Sequence, residues 1–339
     1  MTSARRRVWP HLTGLGAPHA TGLAIAALVT ASTMGATAAV TETADGIAPG
    51  AAAVHRCMGR LATIVGTKHN DHLTGTRGRD VIVGLRGWDR IDGGAGRDII
   101  CGNRGSDRIV GGRGADALGG GADAVLYGED QFGDRLTGGP GDDRIDGGPG
   151  VGRHDRGLDT LDYRHAPHRV HLSLARRRAV IGRQSDTVIS IETVYGSRHA
   201  DRLMGDHRYQ EMDGYGGRDR IVGRGGIDFL SGDAGEDVIF GGDGIDYLDG
   251  EHGRDTVAGN RGDDVINGQQ GSDRLFGGRG ADRLYGDVYG VRHGGRDRIH
   301  GGRGDDYLSG GPAVDLGHGG PSTRGDTCRS IEHRRSCER

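Results

Sequence analysis

The sequence predicts an all-β chain, a parallel β-solenoid wound from short identical half-coils, on three observations. The stretch GRGGIDFLSGDAGEDVIFGGDGIDYLDG, residues 223–250, states one nine-residue pattern three times. That pattern, G-G-x-G-x-D-x-U-x with U a bulky apolar residue, keeps its phase over most of 339 residues. Composition agrees: 69 glycines, 4% aromatic and 34% hydrophobic residues are too little for a conventional core at this length. A repeat architecture needs no such core, because each unit buries its one apolar residue against its neighbours. Low-complexity disorder, the alternative at this glycine content, has no register.

In the repeat Gly232 to Phe240, Asp237 closes the turn and Ile239 sits in the middle of the triplet Val-Ile-Phe. Glycine at the first and fourth places permits positive φ and close backbone approach. Alternate side chains of a three-residue strand face opposite ways, so only the U residue points inward. Two repeats then make one eighteen-residue coil.

Residues 1–38 read as a secretory signal peptide: basic MTSARRRVWPHL, a small apolar run, and Ala36, Thr37 and Ala38 before the cleavage point. The mature chain is expected to begin near Ala39, to lack a transmembrane segment and to be extracellular. Residues 39–65 form an N-terminal segment and cap.

The first array spans 66–150, with Asp71, Asp80, Asp89, Asp98, Asp107, Asp116, Asp134 and Asp143 at the sixth place. Leu73, Ile82, Ile91, Ile100, Ile109, Leu118, Tyr127, Leu136 and Ile145 fill the U place. Eighteen-residue stacking puts Asp71, Asp89 and Asp107 on one edge, followed by Val125 where an aspartate is due. It puts Asp80, Asp98, Asp116 and Asp134 on the other.

Residues 151–195 lose the nonapeptide, and alternation in RVHLSL and DTVISIETV predicts ordinary strands, a β linker. Asp162, Tyr163, His165, His168 and His171 cluster there. These residue types can make an acid–base site, but a stretch of about 45 residues is short for a catalytic domain.

The second array spans 196–310, with Asp201, Asp219, Asp228, Asp237, Asp246, Asp255, Asp264, Asp273, Asp282, Asp297 and Asp306. Gln210 stands where an aspartate is due, and an insertion near 290–294 breaks the spacing. Residues 311–339 are a tail. Of four cysteines, Cys57 precedes the first repeat, Cys101 lies in the first array, and Cys328 and Cys337 lie in the tail. In an exported chain disulfides are the default and three connectivities are open. The pairing Cys57–Cys101 with Cys328–Cys337 is favoured because each bridge would fasten one end of the solenoid.

The nonapeptide resembles the calcium-binding repeats of haemolysin-type (RTX) proteins, and CMGRLATIVGTKHNDHLTGTRGRDVIVGLRGWDRIDGGAGRDIICG looks like the opening of secreted bacterial calcium-binding proteins of that kind. The resemblance implies a parallel β-roll with several Ca2+ ions in the turns, held by the sixth-place aspartates. One feature departs from the toxin and protease members, which leave the cell on an uncleaved C-terminal signal: here an N-terminal signal peptide and a cysteine-bearing tail are expected.

Physics gives calcium a reason. Carboxylates stacked at the inter-strand spacing of about 4.8 Å repel by roughly 3 kcal/mol at an effective dielectric of 20. A hard dication reverses the sign, and glycine turns supply carbonyl oxygens toward a shell of 6–8 ligands. The competing reading, that each aspartate merely caps its turn, explains one copy better than nineteen in phase. No EF-hand loop, H-E-x-x-H or G-x-S-x-G stands out, and RGD triplets at 261–263 and 303–305 fall out of the repeat itself.

The reading is a secreted, non-enzymatic calcium-binding β-roll with a structural, surface or matrix role. Two alternatives are kept. A polysaccharide lyase or epimerase would use the linker cluster. A polyanion-binding module would use an outward rib of Arg90, Arg108, Arg135, Arg144, Arg202, Arg220, Arg274, Arg283 and Arg298, which also explains a net charge of only −3. Calcium is the expected partner, with an extracellular polysaccharide or cell-surface polymer as a possible second and no nucleic acid.

Overall fold

The computed structural model describes residues 54–122, 133–149, 158–287, 295–322 and 325–337. The signal peptide expected at 1–38, Val125 and Tyr127 lie outside them. The described residues contain no helix; they form two long sheets of thirteen and sixteen strands, to which successive repeats contribute alternately. Every repeat-to-repeat pairing along these sheets is parallel, as in Val238–Asp243 against Thr256–Arg261. No helix is long and apolar enough to cross a membrane among the described residues.

Because one residue in nine points inward, the core is two columns. Ile221, Ile239, Val257, Leu275 and Ile299 stand in register in the sixteen-stranded sheet, and Met212, Leu230, Leu248, Ile266, Leu284 and Leu308 in the thirteen-stranded one. All are buried to 2% exposure or less. Leu73, at the open end, is only partly buried.

The two sheets are not alike. Strands of the thirteen-stranded sheet hold to three or four residues, whereas many in the other run to six, such as Ile99–Arg104 and Arg220–Gly225. There the pairing continues into the turn, as Asn260↔Gly278 and Arg261↔Arg279 show. Fourth-place glycines make this stacking possible: Gly253 and Gly262 have φ of 148° and 129°, and a Cβ on either would strike the backbone one coil away.

Both sheets run through residues 158–195. Thr160–Asp162 pairs with Arg135–Thr137 on one side and Thr193–Tyr195 on the other. In the opposite sheet an antiparallel meander of Val170–Ser173, Arg178–Ile181 and Gln184–Ile189 lies between Arg144–Asp146 and Arg202–Met204. Leu161, Val170, Leu172, Ile181, Val188 and Val194 join the same core as the repeats.

The ends are closed differently. Cys57 bonds Cys101, with Cα atoms 5.7 Å apart, and packs with Val81 and Val83 against the outer face of the first coils. At the other end Cys328 occupies a U place and bonds Cys337. Gly317 leaves its U place empty, and Ile331 fills that space.

Candidate metal centre

Each sixth-place aspartate turns its side chain into the coil, because the turn it closes has a glycine five residues earlier with no Cβ to obstruct it. The backbone amide of each donates to Oδ1 of the aspartate one coil on: Asp219 to Asp237 at 2.7 Å, Asp237 to Asp255 and Asp255 to Asp273 at 2.8 Å. On the other edge Asp228, Asp246, Asp264, Asp282 and Asp306 are joined the same way at 2.9 Å. The result is two continuous ladders of buried carboxylates.

That bond uses one oxygen of each carboxylate. Oδ2 of Asp89, Asp98, Asp116, Asp143, Asp219, Asp228, Asp237, Asp246, Asp255, Asp264, Asp273, Asp282, Asp297 and Asp306 is buried without a hydrogen-bond partner. Leaving an ionised oxygen so is costly. The space beside it is shaped: a Cβ on Gly250 would lie 2.7 Å from Asp255 Oδ2 and 2.8 Å from the Gly268 carbonyl oxygen. At Gly268 the corresponding distances are 2.6 Å to Asp273 Oδ2 and 2.8 Å to Gly286 O. A carboxylate oxygen and a carbonyl oxygen of the next coil therefore converge on one small cradle, a donor set of hard oxygens suited to calcium. Among the described residues no group of three or more acidic or histidine side chains surrounds a single point; each cradle draws one carboxylate per coil plus backbone.

Electrostatics reports the same strain. Burial first, and neighbouring carboxylates with it, push Asp219, Asp255, Asp264 and Asp297 up to about 8, against a backbone hydrogen bond that lowers each. Asp143, Asp228 and Asp282 rise to about 7, and Asp237, Asp246, Asp273 and Asp306 to about 6, with burial again the largest cause.

The stacking register departs from the expected one in the first array. Asp107 is joined by its neighbour Asp89 and donates in turn to Asp134, 27 residues on, so one edge reads Asp71, Asp89, Asp107, Asp134 and the other Asp80, Asp98, Asp116, Asp143. The expected placement of Asp134 after Asp116 is thus wrong. Asp107 and Asp134 are successive rungs although 27 residues apart, a step that keeps the nine-residue phase; the expectation of a weak site at Val125 falls on a residue outside those described.

Sequence reasoning also missed rungs. Asp134 donates to Asp159, Asp143 to Asp186, Asp297 to Asp315 and Asp306 to Asp326. Oδ2 of Asp315 is again buried without a partner. The signal was present as the residual triplet D-x-U in Asp159-Thr160-Leu161 and Asp186-Thr187-Val188. A longer duplication, DTVISIE at 186–192 and DTCRSIE at 326–332, marks where rows end. Glu192 accepts from the Asp159 amide at 3.2 Å and Glu332 from the Asp315 amide at 2.7 Å, each following a serine with positive φ.

Some rungs carry their own donors. Asp71 Oδ2 accepts from the Thr67 amide at 2.5 Å, Asp80 Oδ2 from the Thr76 amide at 2.6 Å and hydroxyl at 2.9 Å, and Asp201 from the Ser197 amide and hydroxyl. Gln210 sits in the rung place, 1% exposed, its Oε1 accepting from the Asp206 amide and its Nε2 donating to Asp206. At Asp186 the Tyr163 hydroxyl, buried, donates to Oδ2 at 2.9 Å.

The linker cluster is divided among these tasks. Tyr163 is held by Asp186, and Asp162 is paired with Arg135 at 2.7 Å and Arg164 at 2.9 Å. His168 and His171 line a groove of about 530 Å3 with Arg169, Gly182 and His199; His171 belongs to the sixteen-stranded sheet and Asp162 to the other. The arginines likewise fall on both faces, since successive repeats enter opposite sheets: Arg90, Arg108 and Arg135 are neighbours on one, Arg202 and Arg220, then Arg274 and Arg298, on the other.

A family model, the RTX calcium-binding nonapeptide repeat, matches residues 65–100, 102–126, 130–151, 213–248, 249–284 and 293–321. The chain belongs to this family. No curated protein matches it. The RTX repeats make it a calcium-binding β-roll, and the buried, unpartnered oxygens of its ladders fit such an ion.

Proposed function

We propose that the two aspartate ladders are rows of Ca2+ sites and that ion binding and folding of the roll are one equilibrium. The single observation that carries this is the repeated orphan Oδ2, which meets a carbonyl oxygen of the next coil in a cradle too small for a side chain. The ligands are the sixth-place aspartates already named from Asp71 to Asp306, with Asp159, Asp315 and Asp326 added. The protein is secreted and acts without catalysis, as a structural, surface or matrix component. The signal-peptide pattern of 1–38 and two disulfides at the ends of the roll support an oxidising extracellular setting. The test is circular dichroism of the mature chain: β structure that is lost in excess EDTA and regained in calcium at about 10⁻⁴–10⁻³ M, but not in magnesium, is expected. An unchanged spectrum in EDTA would refute it.

Its polymer partner, on this reading, meets the outer face of the thirteen-stranded sheet. There Phe229 stacks on Tyr247 at 4.6 Å, Tyr285 meets Tyr307 at 5.7 Å, and Arg164 lies over Tyr195 and Tyr215. Rings and a cation on one flat face suit an acidic polysaccharide. Calcium-loaded protein should be retained on such a polymer, and Tyr247→Ala with Tyr307→Ala should release it.

A further inference from the structure

The fourth place of the interior repeats is glycine because the turn one coil earlier presses on it: a Cβ on Gly217 would lie 2.6 Å from the carbonyl carbon of His199. His199 itself fills a fourth place, in Gly196-Ser197-Arg198-His199-Ala200-Asp201. The strand before it in the sheet is Val170–Ser173, which the chain enters from an irregular segment and not from a nonapeptide turn. A side chain therefore fits where the interior needs glycine. The backbone there is fixed by the His199 amide, which donates to Ser197 Oγ at 3.0 Å.

His199 lines the groove of about 530 Å3. His168 and Arg169 come to it from the segment before Val170–Ser173, His171 from that strand, and Val180 from the antiparallel neighbour, directly opposite His171. Gly182 lines it from the next hairpin turn with φ 61°, and a Cβ there would lie 2.7 Å from His168 Cδ2, so glycine is what leaves room for the ring. No acidic residue lines the groove. Asp201, two residues on from His199, is 1% exposed and takes its donors from the Ser197 amide and hydroxyl and the Val170 amide. Arg169 has no salt bridge among the described residues. His199 Nε2 is buried without a hydrogen-bond partner. Arg202 stands beside His171 in the paired strand and adds positive charge. Among the described residues no three histidines are placed to hold a metal ion, so the donors of the groove face no cation.

We propose that this groove is a binding site for a tetrahedral oxyanion, a sulfate or phosphate group, held by Arg169 and by ring N–H donors of His168, His171 and His199. The guanidinium fork matches two oxygens of such a group, and an imidazole supplies one N–H when neutral and two when protonated. An oxyanion would give His199 Nε2 the partner it lacks. The groove is larger than a bare ion and falls in the range of about 300–1,000 Å3 of small-molecule sites, so an ester of a sugar also fits. It opens beside the sixteen-stranded sheet, not on the aromatic face of the other one, and no ladder aspartate lines it. The site therefore stands apart from both the calcium rows and the polymer-binding face.

The experiment is a calorimetric titration of the calcium-loaded mature chain with glucose 6-sulfate, glucose 6-phosphate, inorganic sulfate and glucose. One saturable site for a charged probe and none for glucose is expected. Tighter binding of an ester than of inorganic sulfate assigns the ligand as a sugar ester; inorganic sulfate binding at least as tightly assigns it as the free ion, and either supports the site. Arg169→Ala and His171→Ala, at exposed positions, are each expected to weaken binding by about tenfold or more, the worth of one charge-assisted hydrogen bond. Arg254→Ala, an exposed arginine of the second array outside the groove, is expected to bind as wild type does. No saturable binding of any charged probe, or an unchanged affinity in both groove variants, or an equal loss in Arg254→Ala, would overturn the proposal. The wild-type chain gives a readout without substitution: the ring C–H signals of His168, His171 and His199 should move on adding the probe in nuclear magnetic resonance, and binding that leaves all three unmoved would also overturn it. A chain whose spectrum is unchanged in EDTA would refute the calcium reading and leave this test in force.

Discussion

The interior of the second array, Asp219 to Asp282, and the junction from Asp159 to Gln210 share two sheets and one core, yet they satisfy their buried carboxylates by different means. In the interior every Oδ2 lacks a protein donor. At the junction Tyr163 donates to Asp186, Ser197 to Asp201, and Gln210 replaces the carboxylate by an amide. One fold therefore contains charge that needs a cation and charge that brings its own donors. The difference lies in single residues: Tyr163 in place of an ion, Ser197 in place of a glycine, Gln210 in place of an aspartate.

The largest effect is expected from attacking the interior directly. Asp246→Ala removes a rung charge and the Oδ1 acceptor for the Asp228 amide, and should raise the calcium concentration for half-folding by about tenfold or more, the order of one lost charged ligand. Gln210→Ala should shift it far less, because a neutral amide is a poor calcium ligand. Equal shifts in the two titrations would erase the distinction between the regions.

Proton binding gives the next effect, and its sign differs between ion-free and loaded protein. Interior aspartates with folded values of about 6 to 8, against 3.8 for the ordinary side chain, bind protons more tightly in the roll than in the unfolded chain. The ion-free roll should therefore lose stability as pH rises from about 4 to about 8 and gain β structure on acidification in EDTA. Calcium needs the ionised form, so its half-folding concentration should rise as pH falls through the same window. A pH-independent spectrum in EDTA would mean that these carboxylates are not buried together.

Tyr163→Phe tests the junction alone. It leaves Asp186 Oδ2 without its donor, which should cost about 1–3 kcal/mol in chelator. Calcium should restore part of the loss, since the site then matches the interior. A variant as stable as wild type in EDTA would show that the hydroxyl does not stand in for an ion. The smallest effect is expected for Thr76→Ala, about 1 kcal/mol, because the backbone amide of residue 76 still reaches Asp80.

How much of this was legible follows from what the nine-residue ruler can and cannot see. It finds the inward columns and the sixth-place aspartates, because those positions are repeated and their physics is local. It cannot find Asp186, where the flanking glycines are lost and only D-x-U remains, nor Asp315, whose repeat keeps Gly310 and Gly311 but has Gly317 at the U place. Nor can it find the step from Asp107 to Asp134, because 27 residues keep the nine-residue phase. The Tyr163–Asp186 bond joins residues 23 apart across the core and has no sequence period at all. The residues around Tyr163 looked like chemistry because an acid and a tyrosine also meet where a ladder carboxylate takes a protein donor, as Asp186 does from the Tyr163 hydroxyl.

Hydrogen exchange of the full mature chain, read peptide by peptide by mass spectrometry in EDTA and in calcium, tests the central contrast most directly. In calcium both regions should be protected. In EDTA the amides of 219–282 should exchange as in an unfolded chain, while the strands Thr160–Asp162, Val170–Ser173 and Gln184–Ile189 keep protection. Equal protection of the two regions in EDTA, whether both keep it or both lose it, would contradict the account.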